Sequence, residues 1–304
     1  VSDESNAIGH FAPFGAFDPA PLAASGVESI GLDAGATLTK LCVRTRDGAL
    51  SFASFRSPAT DRVLDAVGAL DPTHLGVTGC GAAALAPELG SDTTTPIEFE
   101  AWARGADEML ARTGQANDRP YLLVAVGTGT SALRVDGDSV ERMGGTALGG
   151  GAALGLGRAI IGTRTPEELN DLALEGARQN VDLMVGDLFE DASDVGAFIA
   201  SSFGKVARGA DDELANEPSR ADLAAALLGI VSDNIGLLAS AYARAAGVDR
   251  IVYGGSTFLV HPQFADVAKA FGMINGMDTV VLSQGGHAGS LGAMVIARRE
   301  SAAA

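Results

Sequence analysis

The sequence predicts an α/β protein in which two related domains face each other across a ligand cleft, and three observations carry the prediction. The chain has 304 residues and is 47% hydrophobic, enough apolar material for one large core or two smaller ones. A strand, glycine turn, strand pattern occurs once in each half of the chain. Stretches with apolar spacing near the helical period lie between and beyond the two turns, at Glu98 to Arg112, Glu167 to Gly176 and Arg220 to Ala246.

Taken in order, residues 1–27 are rich in Ala, Pro, Gly and Phe without periodicity, which predicts an irregular leader or an arm packed on the body. The first domain is expected over 28–117 and the second over 118–304. From Ser29 an apolar run, Ile30-Gly31-Leu32, leads into Asp33-Ala34-Gly35-Ala36-Thr37 and returns as Leu38 to Arg44. The second strand, Tyr121 to Val126, ends in Gly127-Thr128-Gly129-Thr130-Ser131 and resumes over Ala132 to Val135. Small residues at such turns let backbone come close to a ligand. Ser219 to Asp222 predict the amino-terminal cap of the Arg220 to Ala246 helix. A further strand, Arg250 to Tyr253, closes on Gly254-Gly255-Ser256, and a last helix is expected after Gly285-Gly286-His287. Duplicated hairpins facing a common cleft are the arrangement of the actin-like ATPase fold of sugar kinases, heat-shock chaperones and actin: two ribonuclease H-like domains around a central nucleotide cleft.

Composition excludes several roles. The formal net charge of -17, with lysine only at 40, 205 and 269, supplies no basic footprint for nucleic acid. Whether the acidic surface reflects a salt-adapted host or only solubilising charge, it says nothing of the reaction. Cys42 and Cys80 have neither zinc-site nor disulfide-scaffold spacing, which fits buried free thiols in a reducing cytosol. The opening Val1-Ser2-Asp3-Glu4 is no export signal, and no run is read as approaching the ~20 apolar residues of a membrane span, so a cytoplasmic protein is expected.

Chemistry is expected at the turns. The N–H groups over Asp33 to Thr37 can hold phosphate oxygens, with Thr37 donating its hydroxyl, Lys40 downstream and Asp33 holding magnesium through water. One glycine-rich β-turn often binds nothing; a second turn of the same make in the other half favours a phosphate cleft. The glycine run after Arg142, from Gly144 through Gly149, Gly150 and Gly151, precedes a small-residue helix through Leu156 and favours anion approach. Arg142 is either a bidentate anchor for an acidic substrate or a surface salt bridge. Phosphoryl transfer to an alcohol needs a carboxylate to take the hydroxyl proton, and Glu98 and Glu100 are the candidates. On a helix they diverge by roughly 200°, so one of them faces the cleft.

These residues, from Ile30 to Ala297, resemble the type II pantothenate kinases. Asp33 to Lys40 is similar to the family's first phosphate loop, and Thr78-Gly79-Cys80-Gly81-Ala82 to the segment after it. The likeness of Glu98-Phe99-Glu100-Ala101 to an acidic family motif implies Glu98 as proton acceptor and Glu100 as its structural partner. It implies ligand contacts from Gly127, Thr128, Gly129 and Ser131, with Thr128, Ser131 and Arg142 on the acceptor side, and a nucleotide-proximal run over Ala147 to Gly151. Gly255 and Ser256, within Tyr253 to Phe258, fall where the family contacts adenosine; His287 to Ala293 resembles the closing helix start. Asn180 to Asp187 and Ala200 to Lys205 are family markers. Ala36 and Cys80 stand where glycine is usual, and the leader has no family counterpart. The resemblance implies ATP and magnesium as cofactors, pantothenate as substrate, a homodimer, and inhibition by coenzyme A or acyl-coenzyme A. A kinase for pantetheine or an amino sugar, or a non-catalytic ATP or acyl-coenzyme A sensor, are the alternatives.

Overall fold

Two five-stranded sheets frame the molecule, and each is built on the same motif. A computed structural model describes residues 8–12, 15–57, 60–189, 196–209 and 217–303; the opening Val1 to Glu4 lies outside them. The strands are β1 (His10–Phe11), β2 (Val27–Ala34), β3 (Leu38–Thr45), β4 (Leu50–Arg56), β5 (His74–Thr78), β6 (Tyr121–Val126), β7 (Thr130–Asp136), β8 (Ser139–Thr146), β9 (Leu183–Met184), β10 (Ile199–Ser201), β11 (Arg250–Gly254) and β12 (Asp278–Val281). The α-helices are α1 (Ala20–Ser25), α2 (Thr60–Leu70), α3 (Ala82–Leu89), α4 (Glu98–Arg112), α5 (Gly150–Ile161), α6 (Pro166–Glu175), α7 (Gly204–Arg208), α8 (Arg220–Ala246), α9 (Thr257–Val260), α10 (Gln263–Asn275) and α11 (Ala288–Ala303).

The first sheet runs β1-β4-β3-β2-β5 and the second β12-β11-β6-β7-β8. In each, three consecutive antiparallel strands form a meander, and its first strand takes a parallel neighbour from further along the chain, β5 beside β2 and β11 beside β6. A parallel neighbour needs a crossover, which the intervening helices provide. Hairpin β2–β3 therefore corresponds to hairpin β6–β7, the repeat the sequence predicted.

Side-chain alternation along the strands sorts the cores. In the first sheet Ile30, Leu32, Leu41 and Val43 face a core closed by Val63 and Val67 of α2. Cys42 and Phe52 face the other way, into a core shared with Leu123 and Leu133 of the second sheet. Helices α4 and α11 fill that shared layer with Ala103, Ala106, Met109, Leu291 and Met294. Although α11 comes last in the chain, it packs on β2 and β5 of the first sheet. Cys42 is wholly buried as expected, but Cys80, also expected to be buried, is exposed at the turn after β5, and burial pushes the Cys42 thiol far above its ordinary range. A thiol reagent is expected to titrate one cysteine in the folded protein and both after denaturation; two fast-reacting native thiols would contradict this packing.

Two further expectations need correction. The segment 1–27 is not irregular throughout: β1 pairs in parallel with β4, Ile8 is 1% exposed, and Ala20–Ser25 is helical. Elements of two and six residues are too short to leave a period in the sequence. The other correction concerns α8, which is long and apolar enough to cross a bilayer by length and composition. It is 61% buried over that window and closes the core of the second sheet with Leu227, Leu228, Val231 and Ile235, as a core helix does. Its expected cap is present: the Ser219 hydroxyl accepts the Asp222 N–H while the Asp222 carboxylate accepts the Ser219 N–H.

Candidate active site

The turns of the two hairpins meet. The Thr37 hydroxyl of the first lies 3.2 Å from the Thr128 hydroxyl of the second, between residues 91 positions apart. Each hairpin closes on its own glycine: the Gly35 N–H donates to Leu38 O and the Gly127 N–H to Gly129 O. Among the described residues no partner holds the N–H groups of Ala36, Thr37, Thr128 and Gly129, so these four remain for a ligand. Ala36 and Thr37 are exposed at the turn, so the methyl that replaces the usual glycine hydrogen is not packed into the protein.

A cleft of about 720 Å³ opens at this meeting point. Asp33, Gly35, Ala36, Thr37, Lys40, Glu98, Gly127, Thr128, Gly129, Ser131, Arg142, Gly150, Gly151, Gly255 and Ser256 all line it. Gly149 does not. It is the amino-terminal cap of α5, and a side chain there would press on Thr128 O, 2.7 Å from the added carbon. The Gly150 and Gly151 N–H groups donate to Gly127 O and Thr128 O. The glycine run thus braces the second turn from behind, and its first helical N–H groups are committed to protein rather than to an anion.

Asp33, 3% exposed, is paired through Oδ2 with the Lys40 ammonium at 3.2 Å, its cross-strand neighbour. Glu98 begins α4 and is half-buried on the cleft, whereas Glu100 is exposed and off it, as their divergence on a helix requires. Burial raises the Glu98 carboxyl above the ordinary glutamate range; Asp33 adds to the rise and Lys40 opposes it. Arg142, on β8, has no ion-pair partner among the described residues. Its guanidinium instead lies 5.9 Å from the centroid of the Phe99 ring.

Three features of the wall were not anticipated. Trp102 lines the cleft one helical turn after Glu98, a position that the helical period could have flagged. The Thr257 hydroxyl donates to Gly127 O at 3.0 Å, tying the turn after β11 to the second hairpin. Gly285, Gly286, Ala288 and Gly289 also face the cleft. The two marker segments lie elsewhere and bind each other: β9 pairs with β10, and Lys205 meets Asp187 at 2.8 Å.

Magnesium usually keeps several waters and is held by one or two carboxylates plus substrate phosphates. Asp33, a carboxylate that lines the cleft at the base of the first turn, fits that donor set. No cluster of three or more His, Cys, Asp or Glu that would form an all-protein cage occurs among the described residues.

The activator of 2-hydroxyisocaproyl-CoA dehydratase from Clostridium difficile, solved with ADPNP, superposes with a TM-score of 0.58 at 17% identity, over 91% of this chain and 96% of that one. A ROK family glucokinase from Streptomyces griseus, solved with glucose and AMPPNP, gives 0.57 at 15% identity, over 90% of this chain and all (100%) of that one. These likenesses establish the actin-like ATPase fold. The type II pantothenate kinase of Staphylococcus haemolyticus is 30% identical over 272 residues, 88% of this chain and 99% of the relative. That of Staphylococcus aureus is 29% identical over 271 residues, 88% and 99%. The family model described as Fumble matches residues 93–296. A match of that extent, together with these relatives, makes the chain a member of the Fumble family of type II pantothenate kinases.

Proposed function

We propose that this protein transfers the γ-phosphoryl group of ATP to the terminal hydroxyl of pantothenate, giving 4'-phosphopantothenate, the first step of coenzyme A synthesis. The observation that carries the reading is the meeting of the two turns, Thr37 to Thr128, over a cleft that also holds a half-buried glutamate. The four open N–H groups and the Thr37 hydroxyl hold the polyphosphate, with Lys40 beside them. Gly255 and Ser256 border the nucleoside end. Arg142, over the Phe99 ring and without a carboxylate partner among the described residues, takes the carboxylate of the acceptor, with Thr128 and Ser131 on the same side. Glu98 removes the hydroxyl proton as the oxygen attacks phosphorus and ADP leaves. Asp33 would hold a magnesium ion through water, and the ion would supply neutralisation of phosphate charge. The lobes are residues 28–117 and 118–304, the second sending α11 back onto the sheet of the first, and the described part of 1–27 is an arm on the first. A cytoplasmic homodimer inhibited by coenzyme A or acyl-coenzyme A completes the reading, on the strength of family resemblance.

A coupled ADP-release assay with pantothenate, pantetheine and N-acetylglucosamine tests it. Pantothenate is expected to give the highest kcat/KM, by about tenfold or more, a difference of roughly 1.4 kcal/mol in transition-state binding. Faster turnover of another acceptor, or ATP binding without acceptor-dependent release, would overturn it.

The raised Glu98 carboxyl adds a pH signature. A base works only deprotonated, so kcat/KM falls on the acid side as Glu98 gains its proton, at a pH above the ordinary glutamate range. Because Lys40 opposes the rise, Lys40→Met is expected to move that acid limb to still higher pH. A limb that stays put in the variant would remove Lys40 from the field at Glu98.

A further inference from the structure

We infer that Phe11, in the amino-terminal arm, is a positioning residue for the nucleotide: it stacks behind His287 and so fixes the Gly285–Gly289 stretch of the cleft wall. Within that stretch Gly285, Gly286, Ala288 and Gly289 line the cleft, while His287 is buried and turns away from it. Its ring lies 5.5 Å from Phe11 and 5.3 Å from Phe52, and those two rings stack on each other at 4.5 Å and 7°. The His287 backbone is held separately, its N–H donating to Gln284 O and its carbonyl accepting the Ser290 hydroxyl, while the ring makes few polar contacts. Nδ1 is buried without a partner, and Nε2 sits 3.5 Å from the Ser54 hydroxyl, at the limit of a hydrogen bond. Burial, reinforced by the Lys40 charge, pushes the imidazole down to about 3, so it packs as a neutral ring.

The stretch touches both ends of the nucleotide site. A carbon added at Gly285 would lie 2.6 Å from Gly254 Cα, and one at Gly289 would lie 2.7 Å from Asp33 Oδ2. There is no slack on either side, so a shift of the His287 backbone is passed to Asp33 and to the Gly254–Ser256 turn. The arm reaches this place by a specific docking: Phe11 pairs in register with Phe52, and Ile8 is fully buried. Covering a sheet edge would need no particular ring, whereas a ring stacked on the back of a cleft residue ties the arm to the site. The inference rests on the cleft being the nucleotide site, and not on the identity of the acceptor.

The test follows ATP binding through the fluorescence of Trp102, the chain's one tryptophan, which lines the cleft. At a temperature where melts show each protein folded, Phe11→Ala is expected to weaken ATP binding about tenfold and Phe11→Leu, which fills the space without a ring, about threefold. The KM for ATP should rise in step while that for pantothenate stays within about twofold, a split that mere loss of folded protein would not produce. Should Phe11→Ala not fold, Phe11→Leu decides. ATP affinity within about 1.5-fold of the parent in a folded Phe11→Leu overturns the inference. A parent that binds ATP without turning over pantothenate overturns only the proposed acceptor, and one that does not bind ATP overturns both.

Discussion

Glu98→Gln is expected to lower acceptor-dependent ADP release by about 10²- to 10⁴-fold while ATP affinity stays within about twofold. The amide keeps the size and hydrogen-bonding reach of the carboxylate but cannot take a proton at working pH. Glu98 is placed for that task by its helix. It is the first residue of α4, half-buried on the cleft, and α4 is held in the layer between the two sheets by Ala103, Ala106 and Met109. The environment also bears on a base: burial raises the carboxyl above the ordinary glutamate range, the Asp33 charge adds to the rise and Lys40 opposes it. Glu100→Gln is the matched control. It sits two residues along, exposed and off the cleft, and should leave kcat within about twofold. Equal, small losses in the two variants would remove Glu98 from the chemistry, and a large loss in Glu100→Gln would mean that the helix is wrongly turned.

Much of this was legible in the sequence because it repeats or is periodic. The two hairpins could be placed from an apolar strand running into a glycine turn, and α4 and α8 from apolar spacing, to within a residue. Helical geometry allowed only one of Glu98 and Glu100 to face the cleft, and the family likeness of Glu98-Phe99-Glu100-Ala101 picked out Glu98. What escaped is of a different physical kind. The pairing of β1 with β4 is a contact between short segments distant in the chain, and no local period encodes it. Gly149 reads like its neighbours in a glycine run, yet it packs against backbone while they border the cleft; only the direction of a missing side chain separates them. Helix α8 has the composition of a membrane span, and its burial against β6 and β11 is a tertiary fact. His287 was visible only as the start of the last helix, because its stacking partners come from strand β4 and from the arm.

Gly292→Ala should cost about 3 kcal/mol of stability, the upper part of the range for overpacking a well-filled core, because the added methyl meets backbone rather than a yielding side chain. Helices α4 and α11 cross so closely that a carbon on Gly292 would fall on the Ala101 carbonyl, and one on Gly105 on the Ala288 carbonyl. Gly31 and Gly76 make the same allowance where α11 lies on β2 and β5, against Ser290 and Ala293. Ridges without side chains are what let α11 cross back to the first sheet while α4 stays in the shared layer. A melt of Gly292→Ala is expected to fall by roughly 5 °C for a chain of this size. Gly68→Ala provides the contrast: the glycine is in α2 with nothing within 4 Å of an added carbon, so the substitution should stabilise by about 0.5–1 kcal/mol through helix propensity. The seam also bears on catalysis, since α4 can relieve the Gly292 methyl only by moving, and Glu98 moves with it. The folded fraction of Gly292→Ala should therefore lose kcat, by about tenfold for a displacement of several tenths of an ångström, with the KM for ATP little changed. Wild-type melting in Gly292→Ala would mean that the two helices do not touch here, and full kcat in a destabilised variant would mean that the position of Glu98 does not depend on the seam.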